Sequence, residues 1–468
     1  MLFWYNRIAA RIISLNMDYI VNVGTILRAN KIESKIFVLV AISFLVCSSI
    51  CPVNLTVYAQ SFLQTIKYRN LVLDLGNDLK TSAQLTMPSV DGKANGKYPA
   101  VLLITGSGAE DMNETEGFIR IDNNTGQKIY PPTPFFQIAQ YLSERGFVVL
   151  RYDKRGIGTN HTILDSNVWG NLTVNDLLKD ANKALAALMS QPEVNVSKVT
   201  VLGHSEGTVL TPRLAIDNPN EVKNIILMGA LANNMSDILY YQTVALPISY
   251  AQKVLDKDHN GLLSAQEASR DVTFQRLIGG NLTMVLTQNL LNGTRILNSE
   301  ENTNNDTYIN IDKELKPALI EQARSFFSPS RQMIGTTSKI TSEKCINLEG
   351  CPAYSNSFLA LEPNLETITK VPSTTSIAIL NGENDTQTPV QGALLLQQKL
   401  TQINHPDHTL ITYPNLGHEF YPSSQWQTSN GPIPSYVLAD LYSWLESHVG
   451  FTRLPSGTLQ PSTNHPNN

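Results

Sequence analysis

The stretch VTVLGHSEGTVL, Val199 to Leu210, sets a serine between two glycines at the end of a β-branched run. The run reads as a buried strand and the residues after Ser205 can begin a helix, so the hydroxyl sits at the bend between them. Gly203 and Gly207 remove the Cβ atoms that would collide when strand and helix come close, and they leave the serine side chain projecting from the turn. The chemistry such a hydroxyl can do is nucleophilic attack. It is a poor nucleophile at neutral pH and needs a base within hydrogen-bond reach, itself oriented by a carboxylate.

In a parallel sheet flanked by helices, functional groups gather at the carboxyl ends of strands. Asp385 follows the apolar run SIAILNGEN and His418 follows TLITYPNLG, so these two are the expected partners of Ser205. Taken singly, Asp385 is a turn residue and His418 a polar residue at a helix start; together, in this order and after strands, they make a triad. His405 and His408 precede their strand and belong at its other end, and His204 is expected to point away from the nucleophile. Attack on a carbonyl creates an oxyanion that needs preorganised N–H donors. The amide of Glu206, next after the serine, is the first. The second comes from LITGSGAED, with the Ser107 amide favoured and Gly108 as the alternative. No Lys-Ser/Thr follows these glycines, which argues against a phosphate loop.

The elements that must position these groups alternate. NLVLDLGNDLKTSAQLTMP reads as a hairpin and YPAVLLITGSG as a buried strand; the helix PFFQIAQYLSERG, the strand FVVLRYD, the helix VNDLLKDANKALAALMSQP and the strand KVTVLG follow. After Ser205 come a helix and the strand NIILMGA. The alternation stops near Leu231 and resumes with TSIAILNGEND, VQGALLLQQKL, HTLITYPN and the helix YVLADLYSWLESHV. Continuous apolar strands between amphipathic helices predict a mostly parallel sheet covered on both faces. The domain reading is 1–59 as export signal or N-terminal anchor, 60–230 and 372–452 as the two parts of an α/β core, 231–371 as an inserted helical cap, and 453–468 as a disordered tail rich in Pro, Ser, Thr and Asn.

The cap carries a second pattern. DKDHNGLLSAQE, Asp256 to Glu267, has the spacing of an EF-hand calcium loop. Side-chain oxygens stand at Asp256, Asp258 and Asn260, the turn glycine is Gly261, Leu262 offers its carbonyl, Ser264 a water-bridged contact, and Glu267 closes the loop, with Leu263 packing behind it. NTNNDTYINIDKE, from Asn302, reads as a degraded second loop without the turn glycine and with Lys313 in place of the closing acid. Structural Ca2+ is therefore the expected cofactor; catalysis needs none.

The chain has 468 residues, 42% hydrophobic content and a formal net charge of −5. It can bury a large core and has no basic excess for nucleic acid. Lys35 to Ile50, an uncharged apolar run behind basic residues, is closer to the roughly 7–15 residues of a signal h-region than to the about 20 of a spanning helix. Val57 and Ala59 offer a cleavage site, and Met17 an alternative start; retention of the segment as a membrane anchor is the competing reading. The expected location is extracellular or at the cell surface. In an exported chain Cys345 and Cys351 would form a disulfide, and the sequons at Asn113, Asn123, Asn160, Asn171, Asn195, Asn234, Asn281, Asn292 and Asn305 suit a glycosylated exterior.

TGSGAEDMNE, FFQIAQYLSERGFVVLRYDKRGIG, LGHSEGTVL, LNGENDTQTP and LGHEF together resemble the lid-bearing carboxylesterases and serine-aminopeptidase-like members of the α/β-hydrolase superfamily. The order Ser205, Asp385, His418 is also that of α/β-hydrolases. The resemblance implies an α/β-hydrolase fold, a mostly parallel doubly wound sheet with a helical cap. It implies Ser205 as nucleophile with Asp385 and His418 as partners, and Asp153 and Arg155 as a structural loop beside the site. Many relatives carry a histidine where Thr105 stands here. The activity implied is cleavage of small carboxylic esters through an acyl-enzyme. A peptidase or acyltransferase with the same triad, and a catalytically silent calcium-binding surface protein, are the competing readings.

Overall fold

The computed structural model describes residues 65–89, 96–117, 119–122, 125–264, 268, 270–278, 308–327, 351–424, 426–428, 431–453 and 459–461. Eight strands form the main sheet: β1 (Thr65–Gly76), β2 (Leu79–Ser89), β3 (Tyr98–Ile104), β4 (Val148–Tyr152), β5 (Val194–His204), β6 (Val222–Met228), β7 (Ser376–Gly382) and β8 (His408–Tyr413). Their order across the sheet is β1-β2-β4-β3-β5-β6-β7-β8. From β4 to β8 every pairing is parallel, and β2 alone runs against its neighbours. This is an α/β-hydrolase fold, with the sheet interrupted after β6 by the long inserted segment.

The apolar strands divide their side chains with a period of two. Leu102, Val201, Ile225, Leu227, Ile377 and Ile379 face one core. It is covered by helices α2 (Val174–Met189), α3 (Gly207–Asp217) and α4 (Val390–Gln402). Val101, Leu103, Val149, Leu202, Ile226 and Leu380 face the other, covered by α1 (Pro134–Ser143) and α5 (Ser435–Val449). Strands β3 and β4 are buried throughout, as a parallel sheet sandwiched between helices requires. α2 starts on a capping box in which Thr173 and Asp176 satisfy each other's backbone amides.

The strand–helix bend is as tight as its glycines suggest. A Cβ on Gly203 would overlap the backbone of Gly207, and one on Gly207 would overlap the carbonyl of Ile104 on β3. Ser205 itself has φ +52°, in the left-handed region that non-glycine residues rarely occupy.

The inserted segment builds a small core of its own. Val244, Ile248, Tyr250, Leu263, Phe274, Ile309, Leu315 and Leu319 are buried together. A helical run from Met235 to Leu255 alternates α-helical and π-helical turns. The return segment behaves differently: Cys351, Tyr354 and Phe358 join the main core rather than the cap's. In the segment read as a disordered tail, Leu459–Pro461 pairs with Phe451–Arg453. Among the described residues no helix is long and apolar enough to cross a membrane. The apolar run Lys35 to Ile50 lies outside the described residues, as does Cys345, so the export and disulfide expectations are not touched by the structure.

Candidate active site

Ser205, Asp385 and His418 follow the carboxyl ends of β5, β7 and β8, and all three are buried, with 8%, 4% and 5% of their surface exposed. His418 Nδ1 lies 2.8 Å from Asp385 Oδ2. Thr388 Oγ1 donates to the same Asp385 oxygen at 2.8 Å and lies 3.0 Å from His418 Nδ1. The other oxygen of Asp385 accepts the backbone amides of Gln387 and Thr388, both at 2.8 Å. Burial alone would raise the Asp385 pKa, but His418 and these hydrogen bonds outweigh it and hold the carboxyl below its ordinary value. The histidine ring is packed against Gly229, where a Cβ would lie 3.2 Å from it. Met228, the preceding residue, accepts the Ser205 amide at 2.9 Å. The bend after β6 thus ties the serine and the imidazole to one place.

His204 directs both ring nitrogens to groups other than Ser205. Its Nδ1 lies 3.1 Å from Glu114 Oε2, and its Nε2 lies 3.0 Å from the backbone oxygen of His418. A ring with an acceptor at each nitrogen is satisfied only when both carry protons. Burial works against that charge, but Glu114 overrides it and the pKa is pushed up to about 10. Protonated, the ring donates to Glu114 and to the His418 carbonyl and holds the backbone of His418. Glu114 also accepts the Gly106 amide at 2.5 Å, joining the LITGSGAED loop to the same network. Nothing local in the sequence signals this, because the partners of His204 lie 90 and 214 residues away.

Lys154 is the second residue the sequence reading passed over, between Asp153 and Arg155. Its ammonium donates to the carbonyls of Gly106 and Gly108 and to Glu206 Oε1. Tyr354, from the return segment after the cap, donates to the other oxygen of Glu206. Asp153 accepts the Met112 amide at 2.7 Å and Arg155 pairs with Asp180 on α2 at 2.6 Å, so both brace the loop. His408 opens β8, at the end of the sheet remote from Ser205. From the cap, Gln242 donates to the Gln387 carbonyl at 2.9 Å, and Tyr241 has its pKa raised to about 12 by burial and by Asp385.

Acids crowd this region. Burial, then Glu114, push Glu110 up to about 9, with Glu116 and Asp111 adding and Lys154 opposing. His161 stands 3.8 Å from the same carboxyl. Burial, then Glu419 and Glu114, push Glu116 up to about 7. Both groups bind protons more tightly folded than unfolded, so stability falls as pH rises above 4.5, through 7 for Glu116 and 9 for Glu110. His204 acts in the same direction: its contribution is complete below 6.5 and is lost as pH rises to about 10. The melting temperature is expected to decline from pH 5 to pH 9, and Glu110→Gln to flatten the decline between 7 and 9. A wild-type melting temperature that holds or rises over this range would contradict the account.

In the cap, Asp256 is buried and accepts the amides of Asn260 at 3.0 Å and Gly261 at 2.9 Å. Asn260 Nδ2 donates to Asp258 at 2.7 Å, and Asn260 Oδ1 accepts the Leu262 amide at 2.8 Å. Leu262–Ser264 pairs antiparallel with Tyr308–Asn310, setting Leu263 opposite Ile309. These are the eighth positions of the loop counted from Asp256 and of the degraded loop counted from Asn302. Glu267 lies outside the described residues; among those described, no three His, Cys, Asp or Glu side chains are grouped to hold a metal.

Residues 133–304 match the family described as "Serine aminopeptidase, S33". Esterase EstD of Thermotoga maritima is 32% identical over 169 residues, which make up 35% of this chain and 34% of the esterase. The chain thus spans about a third of the length of that curated relative. Among solved structures, a thermostable carboxyl esterase from Bacillus coagulans aligns over 82% of this chain and 99% of its own at 14% identity, with a TM-score of 0.45. Est1E from Butyrivibrio proteoclasticus aligns over 81% and 98% at 12% identity, with a TM-score of 0.39.

Proposed function

We propose that the chain is an exported serine hydrolase that cleaves small carboxylic esters through an acyl-enzyme. The observation that carries this reading is the strained Ser205 on its strand–helix bend, tied by its amide to the bend after β6 against which His418, bonded to the buried Asp385, is packed. His418, whose Nδ1 is committed to Asp385, uses Nε2 to take the Ser205 proton as Oγ attacks the ester carbonyl. The amides of Ser107 and Glu206 receive the oxyanion. Collapse of the tetrahedral intermediate breaks the ester bond, and the imidazolium returns its proton to the departing alkoxide. Water then repeats the sequence on the acyl-enzyme, releasing the acid and the free serine. The esterase relative supports an ester substrate; the aminopeptidase family match favours an amide of an amino acid as the second reading. A fluorophosphonate label, followed by panels of p-nitrophenyl esters and aminoacyl amides, tests both. Failure of the wild type to take the label would overturn the nucleophile, and amides turned over faster than esters would select the second reading.

The reading extends to a structural Ca2+ in the cap, held by Asp256, Asp258, Asn260, the Leu262 carbonyl and Glu267. Support comes from the buried Asp256 and from the pairing of the two loops at their eighth positions. Like charges on the loop repel without a cation, so calcium is expected to stabilise the folded cap. Free ligand at a hundred times its Kd adds about 2.7 kcal/mol. Wild type is therefore expected to melt several degrees higher in calcium, whereas Asp256→Asn and Glu267→Gln are not. Equal shifts in all three would show that the loop is only a connection. Export, with a cell-surface or extracellular location, is proposed on the apolar run from Lys35 to Ile50.

A further inference from the structure

Lys154 is only 4% exposed, and its three acceptors belong to two different parts of the candidate site. Two are the carbonyls of Gly106 and Gly108, either side of Ser107. The third is the carboxylate of Glu206, the residue after the nucleophile, whose side chain is 2% exposed and is held from its other oxygen by Tyr354. The Gly106 amide is already engaged by Glu114, so it is not the oxyanion donor. The next peptide is different. In a trans peptide the C=O of one residue and the N–H of the next point in opposite directions. An ammonium that holds the Gly106 carbonyl therefore fixes the direction of the Ser107 N–H, turning it away from Lys154.

We propose that Lys154 is a positioning residue that sets the oxyanion hole: it holds the Gly106 carbonyl so that the Ser107 N–H is turned into the site, and ties that peptide to Glu206. The role rests on the acyl-transfer reading above. Lys154 touches no substrate atom; it acts through two backbone donors. An aimed donor contributes to the transition state more than to the bound ester, so its loss belongs in kcat.

In Lys154→Met the apolar stem remains and the donor goes. kcat is expected to fall about 10²-fold while KM for the same ester changes little. Affinity for a trifluoromethyl ketone, whose adduct places an oxyanion in the hole, should fall in proportion to kcat/KM. The single variant also strands the Glu206 charge and can lose stability for that reason alone. Lys154→Met with Glu206→Gln removes both charges: its melting temperature is expected to recover, and its kcat to stay about 10²-fold low because the Gly106 carbonyl still lacks its donor. A double variant with wild-type kcat would overturn the proposal and reduce Lys154 to a counter-charge. Absence of fluorophosphonate labelling in the wild type would instead overturn the acyl-transfer reading, and is seen before any variant is made.

Discussion

Ser205→Ala is expected to lose fluorophosphonate labelling entirely and to lower kcat by at least about 10⁴-fold, with KM little changed and the protein fully folded. The size of the effect follows from what is removed. In the proposed mechanism no acyl-enzyme can form without Oγ, and His418 and the oxyanion donors are left to assist water alone. Folding should survive because the bend is built by the backbone: the Ser205 amide donates to Met228, and the Ser205 carbonyl accepts the Thr208 amide and hydroxyl. The left-handed φ of +52° remains in the alanine variant. Glycine tolerates that conformation, so Ser205→Gly, equally inactive, is expected to melt no lower than Ser205→Ala. If Ser205→Ala still takes the label, the nucleophile lies elsewhere.

The fold was legible where side-chain pattern and backbone role coincide. The apolar runs that became β3 to β8 alternate between two cores, and a parallel sheet covered by helices on both sides buries both faces of such strands. That Asp385 and His418 meet, and that Ser205 stands on the strand–helix bend, was legible because strand ends and chain order narrow the choice of acids and histidines to a few. His204, Glu114 and Lys154 were not, for a physical reason. Apart from the Glu114–Gly106 contact, 8 residues apart, their roles depend on partners between 46 and 214 residues away, and on the direction of individual carbonyls, which no local spacing encodes. A histidine beside a nucleophile looks redundant until its two nitrogens are found facing Glu114 and the His418 carbonyl. The elements of the cap were not legible, since its helices are irregular and its one described strand pairing, Leu262–Ser264 with Tyr308–Asn310, is too short to impose a pattern.

Asp385→Asn should lower kcat by about 10⁴-fold while leaving the site's geometry in place, because the change reverses one hydrogen bond. The two backbone amides that now bond to Asp385 Oδ1 can be kept by the asparagine oxygen. That choice puts its NH₂ where Oδ2 stands, facing His418 Nδ1 and Thr388 Oγ1. The Thr388 hydroxyl can rotate and accept. His418 Nδ1 must also become an acceptor, which moves its proton to Nε2, the nitrogen that takes the proton of Ser205 in the proposed reaction. Nor does a neutral amide stabilise the imidazolium that follows. Substrate binding requires neither tautomer, so KM should hold and the loss should fall on kcat. Thr388→Val separates the two functions of the acid. It removes the second hydrogen bond to Asp385 Oδ2 but leaves the carboxylate opposite Nδ1, and is expected to cost about tenfold or less. An Asp385→Asn enzyme within tenfold of wild type would show that the tautomer of His418 is set by some other group.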